Sequence, residues 1–137
     1  MDWVLLIGRI LFALIFVMSG AKVHLIQRAQ GVQYARANQV PVPELLVPLS
    51  GLMAVVGGAF VALGLWADLG ALLLAAFAFP VGLGMHAFWK LPDPMERANQ
   101  QAHFMKNLSI GGAALALFVF FQQFGDELDL VIEPTLF

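Results

Sequence analysis

The chain has 137 residues, 61% of them hydrophobic and only 12% charged, with a formal net charge of −2. Its mean hydropathy is +0.84, whereas a soluble domain carries about 25% charged residues, so there is no room for a separate soluble domain and no basic stripe that points to nucleic acid. Cysteine is absent, which removes disulfides, thiolate metal ligands and iron–sulfur clusters.

Four apolar runs follow one another at residues 3–21, 45–66, 69–89 and 104–124, each 19 to 22 residues long. As helices they reach about 28–33 Å, close to the ~30 Å hydrocarbon thickness of a bilayer. Lipid offers the backbone no hydrogen-bond partner, so the runs satisfy themselves as helices. The expected fold is all-α, a polytopic four-transmembrane-helix bundle forming one domain over residues 1–137. Polar connections fall at 22–44 and 90–103.

The first run lacks a basic stretch before it and leads straight into Lys22, so it reads as a spanning helix rather than a cleaved leader. It contains Arg9, where a charge costs at least about 2.5 kcal/mol. Arg9 either holds an anionic or carbonyl-bearing ligand, or snorkels and pairs with Asp68, Asp126 or Glu127. Helical spacing puts Arg9, Ala13, Phe16, Gly20 and His24 on one stripe facing the bundle interior. In the connection that follows, His24, Leu25, Ala29 and Val32 form one side of a short surface helix, and Pro41 and Pro43 impose an extended entry to the second run.

Small residues recur four apart at Ser50, Ala54 and Gly58, at Ala67, Ala71 and Ala75, and at Gly112 and Ala116. Such ridges let helices approach closely in lipid, within one chain or between copies. Gly20, Ala54, Gly57, Gly58, Gly111 and Gly112 are the expected packing positions. Pro80 predicts a bend in the third run, because it removes one donor and crowds the Ala76 carbonyl. Trp3, Trp66 and Trp89 stand at span ends, as interfacial anchors do. Asp93 as cap, Pro94 at the first helical position and Glu96 three residues after the cap start a helix ahead of the fourth run.

Charge is sorted by side. One face holds Lys22, Arg28, Arg36, Lys90, Arg97 and Lys106, and the other holds Asp2, Asp68, Asp126, Glu127, Asp129 and Glu133. The positive-inside rule then places both termini outside and the connections 22–44 and 90–103 in the cytoplasm. His24, His86 and His103 lie near the basic face, with Asn107 and Gly111 four-residue steps beyond His103 and Lys106 beside them. Three imidazoles from three helices are compatible with a metal or haem, with hydrogen bonds to loop carbonyls, or with a quinone stacked near Phe88 and Trp89 and bonded to His86 or His103. No nucleophile, acid–base pair or metal set stands out, so no catalytic or metal residue is assigned.

The stretches GRILFALIFVMSGAK (8–22), VGGAFVALGLW (56–66), HAFW (86–89) and HFMKNLSIGGAAL (103–115) occur in the order found in DoxX-like membrane proteins, and the chain resembles that family over nearly its whole length. Arg9, Gly20, Lys22, Gly57, Gly58, His86, Lys106, Asn107, Gly111 and Gly112 fall on family positions. The resemblance implies a four-helix bundle in a bacterial inner membrane, related to small subunits of thiosulfate:quinone oxidoreductase and linked to membrane redox complexes. Two positions depart from it: Ala54 where many members carry a carboxylate, and Ala67-Asp68 where many carry a basic residue.

Three functions follow as expectations. The first is a redox-associated membrane protein that binds a quinone-like molecule through Arg9, Lys22, His86, Trp89, His103, Lys106 and Asn107, or docks an oxidoreductase. It would be at most a non-catalytic or cofactor-dependent subunit, since no side chain carries electrons. The second is a scaffold subunit of a membrane complex or homo-oligomer. The third, with least in its favour, is a small-solute carrier.

Overall fold

A computed structural model of the protein describes residues 2–137, whose regular structure is helical apart from one isolated β-bridge, with a non-helical C-terminal segment over 128–137. The helices are α1 (Asp2–Ser19), α2 (Arg28–Ala37), α3 (Pro43–Leu63), α4 (Ala67–Met85) and α5 (Pro94–Phe124). A π-helical segment, Gly20–Ile26, continues α1, and short 3₁₀ turns follow α4 (Phe88–Lys90) and α5 (Gly125–Glu127). Among the described residues, four segments are long and apolar enough to cross a membrane: Asp2–Ile26, Pro43–Leu63, Ala67–Lys90 and Pro94–Glu127.

The packing is that of a protein whose solvent is lipid. Its interior is built mostly of small residues, with Ala13, Ala54, Ala67, Ala71, Ala75, Ala78 and Ala114 all buried. The large side chains Val4, Ile7, Leu11, Leu14, Leu52, Leu63, Leu83, Leu115 and Val119 point outward. In water such a surface would drive aggregation. Between acyl chains it costs nothing, and close backbone packing supplies the cohesion instead. Sequential spans are neighbours: α1 lies on α3, α3 on α4 and α4 on α5, whereas the first and last helices make no comparable backbone approach. Phe16 of α1 bridges to Phe77 of α4, ring centroids 5.9 Å apart.

Several local expectations hold. The stripe Arg9, Ala13, Phe16, Gly20 and His24 is buried along its whole length. Asp93 Oδ1 accepts from the Glu96 N–H at 2.8 Å with Pro94 at the first helical position, so α5 starts well before its apolar run. The surface helix differs from the expectation: it runs over Arg28–Ala37, and His24 and Leu25 belong instead to the π-helical segment. Its buried side is Gly31 and Ala35 rather than Ala29 and Val32, with an added Cβ on Gly31 standing 3.1 Å from the Val23 carbonyl. Both Pro48 and Pro80 sit inside helices, each removing one N–H from the ladder.

The helices fix two poles. At one end the C-terminal segment, the α3–α4 turn and the Arg9 part of α1 meet, because residues 128–137 fold back over that turn. Ile132 and Glu133 both donate to the Gly64 carbonyl, at 3.0 and 2.9 Å, and the Trp66 N–H reaches Glu133 O at 2.5 Å. At the other end, α2, the 3₁₀ turn Phe88–Lys90 and the start of α5 surround the basic face.

Candidate functional site

The π-helical segment lies at a close backbone contact. A Cβ on Gly20 would come 2.7 Å from the Gly51 carbonyl, and one on Gly51 would come 2.4 Å from the Cβ of His24. With both positions glycine, α1 and α3 touch backbone to backbone just where the extra residue widens the helix. π-bulges commonly mark functional positions. Here the segment turns His24 inward. Its Nδ1 lies 2.9 Å from Ser50 Oγ and 3.3 Å from the Val47 carbonyl, and the ring meets Phe77 edge-on with centroids 5.4 Å apart.

His24 stands between two cavities. One, of about 520 Å³, is bounded by the 38–41 loop, by Leu46, Leu49 and Met53 of α3, and by Pro80 and Leu83 of α4. The other, of about 180 Å³, has Ile15, Ser19 and Val23 on one wall and Lys106, Asn107 and Ile110 of α5 on the opposite wall. His24, Phe77, Val81 and Met85 line both. The first is largely apolar and falls within the roughly 300–1,000 Å³ of small-molecule sites. Polar groups gather at the second.

His86 lines that smaller cavity. Its ring stacks on His103, centroids 5.2 Å apart and planes 21° from parallel, and its Nδ1 lies 2.7 Å from Gln100 Oε1. Lys106 Nζ is 3.5 Å from His103 Nδ1. Asn107, 8% exposed, donates to the His103 carbonyl at 3.0 Å and lines the same cavity. Tyr34 of α2 also lines this cavity, with its hydroxyl donating to the Met85 carbonyl at 3.2 Å. The chemistry available is hydrogen bonding to a carbonyl or hydroxyl by imidazole, amide and ammonium groups beside an apolar chamber. The three imidazoles do not converge, because His24 is turned to Ser50 while His86 and His103 pair with each other.

Of the residues assigned from sequence, His86, His103, Lys106 and Asn107 are brought together. Trp89 is not with them. It is 52% exposed and packs against Phe88 and Phe104, with centroids 5.2 and 5.6 Å away, so Phe16 and Phe77 supply the aromatic wall instead. Lys22 points outward. Gly57 and Gly58 face α4 and α1, where added Cβ atoms would meet Gly70 O at 3.0 Å and Val17 at 2.7 Å, and Gly111 lies 2.9 Å from the Phe79 ring by the same measure. Gly112 has open space beside it, so it packs no helix of this chain. His24 and Tyr34 were not assigned from sequence. The buried stripe that starts at Arg9 is the signal that reaches His24.

Arg9 belongs to the opposite pole. Fifteen residues of helix separate it from His24, roughly 22 Å of rise. It is 2% exposed and pairs with none of Asp68, Asp126 or Glu127: Nη2 donates to the Leu130 carbonyl at 2.5 Å, while Nε and Nη1 are buried without a partner. Leaving a buried donor unsatisfied costs about 1–3 kcal/mol. Asp68 is fully buried and engaged elsewhere, accepting from the Leu69 N–H at 2.7 Å, Gln122 Nε2 at 2.8 Å and the Leu136 N–H at 3.0 Å. The expected ion pair is therefore replaced by two separate long-range attachments of the C-terminal segment. The one ion pair among the described residues that joins basic and acidic side chains is Arg36 with Glu44, on the surface.

Fold and site define a polytopic α-helical membrane protein with a polar-headed cavity between its own helices. The chain belongs to the DoxX family, whose model matches residues 4–87, from α1 through the end of α4. The α5 wall that carries His103, Lys106 and Asn107 lies beyond the matched stretch. No curated protein and no solved structure matches the chain.

Proposed function

We propose that this DoxX-family protein binds a flat, carbonyl-bearing apolar molecule of the quinone class in the paired cavities and serves a membrane redox partner with it. The observation that carries the reading is the shared wall of His24, Phe77, Val81 and Met85. It joins an apolar chamber of about 520 Å³ to a smaller one rimmed by His86, Lys106 and Asn107. A ring seated against Phe77 presents its carbonyl to the imidazole and amide donors, while a hydrocarbon substituent lies among Leu46, Leu49 and Leu83. The protein orients the ligand, and electrons are exchanged by the ligand and the partner. The basic pole, with Lys22, Arg28, Arg36, Lys90, Arg97 and Lys106, is assigned to the cytoplasm of a bacterial inner membrane.

The test is mass spectrometry of gently solubilised protein with solvent extraction of bound lipids. The reading expects near-stoichiometric quinone in the wild type and a loss of at least fivefold in His86→Ala with Asn107→Leu. Quinone-free wild-type protein sinks it. A second reading, a scaffold subunit, draws on Gly8 and Gly112, which face outward with nothing packed beside them. It expects a fixed protein partner and no bound small molecule in the same experiment.

A further inference from the structure

We propose that Arg9 is the floor of a binding site for an oxyanion, a phosphate or carboxylate group, and that residues 128–137 are a strap whose Leu130 carbonyl holds the place of one ligand oxygen. This site is independent of the paired cavities and lies at the other pole of the bundle.

The guanidinium is 2% exposed, and its Nε and Nη1 are unpartnered. The arginine fork has two edges, Nη2 with Nε and Nη2 with Nη1, and either matches two oxygens of a phosphate or carboxylate. Nη2, common to both edges, is the nitrogen that the Leu130 carbonyl occupies at 2.5 Å. A main-chain carbonyl brings one oxygen and no formal charge, so it fills half of one edge, and no counter-ion pairs with the cation among the described residues. An oxyanion that displaced it would satisfy Nη2 and a flanking nitrogen together.

The surroundings suit such an exchange. The nearest wall is Gly64, at φ +66°, where a Cβ would stand 2.5 Å from Nη1 and shut that edge. The carboxylate of Asp68 on the same face is fully occupied by Leu69, Gln122 and Leu136. Leu130 itself sits at φ +57°, a conformation that a leucine leaves readily once its carbonyl bond is released. Next to Leu130 the strap is held to the α3–α4 turn by the Ile132 and Glu133 bonds to the Gly64 carbonyl and by the Trp66 bond to Glu133, so a lift of its Leu130 end loosens the adjacent Ile132 and Glu133 bonds first.

The oxyanion reaches the site as a lipid headgroup or as a free ion, and the experiment separates the two. The full chain in a neutral maltoside detergent is titrated with inorganic phosphate in one arm and with short-chain phosphatidylglycerol in the other, with a diacylglycerol of equal chain length as control. Binding is read by native mass spectrometry for the lipid and equilibrium dialysis for phosphate. Hydrogen–deuterium exchange at the Ile132 and Glu133 N–H groups follows the strap, and the Leu136 N–H on Asp68 serves as an internal reference.

Saturable binding in either arm, with exchange at Ile132 and Glu133 accelerated at least fivefold and Leu136 unchanged, supports the site and names its source. Arg9→Gln abolishes that response. Leu130→Pro, whose ring fixes φ near −65° and so cannot form the closed strap, leaves Arg9 intact and binds the same anion at least fivefold more tightly. Failure of both anions to bind the wild type and Leu130→Pro overturns the proposal, as does an undiminished response in Arg9→Gln. If Arg9→Gln does not fold, the Leu130→Pro comparison decides alone.

Discussion

Gly20 and Gly51 meet backbone against backbone, so closely that a methyl on Gly20 would stand 2.7 Å from the Gly51 carbonyl. That meeting seats the π-helical segment on α3 and aims His24 between the two cavities. Helices pressed together by glycine rather than by large side chains tolerate no added carbon. Overpacking of this kind costs about 1–3 kcal/mol. Gly20→Ala and Gly51→Ala should each lower the thermal midpoint in detergent, whereas Gly112→Ala, with open space beside it, should leave it unchanged.

The buried carboxylate of Asp68 ties the C-terminal segment to the start of α4. Asn at this position keeps the size but turns one oxygen into a donor that faces other donors, Gln122 Nε2 or the Leu136 N–H. Asp68→Asn should therefore lose about 1–3 kcal/mol of stability. Exchange at Leu136 should quicken at the same time. Unchanged exchange at Leu136 would contradict the assigned tether.

Asp93 stands outside the apolar run and caps α5 through its bond to the Glu96 N–H. Loss of such a cap typically costs about 1 kcal/mol. Asp93→Ala should fray the first turns of α5, read as faster exchange at Glu96 and Arg97, and Asp93→Asn should restore most of the protection. Neither change should reach His103, two turns further along.

Val81 is on the wall shared by both cavities. Val81→Trp should fill them without touching the polar groups, so bound quinone falls at least fivefold while the melting temperature changes little. Retention of the ligand in a folded Val81→Trp protein would move the binding site elsewhere.

Much of this was legible in the chain itself, for identifiable reasons. Spans, the Asp93 cap and the buried stripe from Arg9 to His24 depend on spacing within one segment, which hydropathy and helical period report directly. The partner of Arg9 was not legible. Acids stood at suitable depth in the sequence, yet the bond goes to a main-chain carbonyl 121 positions away, and any residue offers a carbonyl. Trp89 misled for a related reason: its place at a span end is a property of the segment, but its direction is set by the 3₁₀ turn Phe88–Lys90 and by Phe104 across the gap. His24 was visible as a stripe member without the π-helical widening, which lies where Gly20 meets Gly51 of another helix.

The missing embrace between the first helix and the last leaves the bundle a row rather than a ring. Side chains of Ile15, Val23 and Ile110 line the smaller cavity where α1 faces α5. A hydrocarbon-soluble guest drifting in the plane of the bilayer can therefore part rotamers instead of helices. For the ligand proposed above, admission along this route would need no plug to be pulled and no aqueous passage, and the surrounding acyl chains would act as its reservoir.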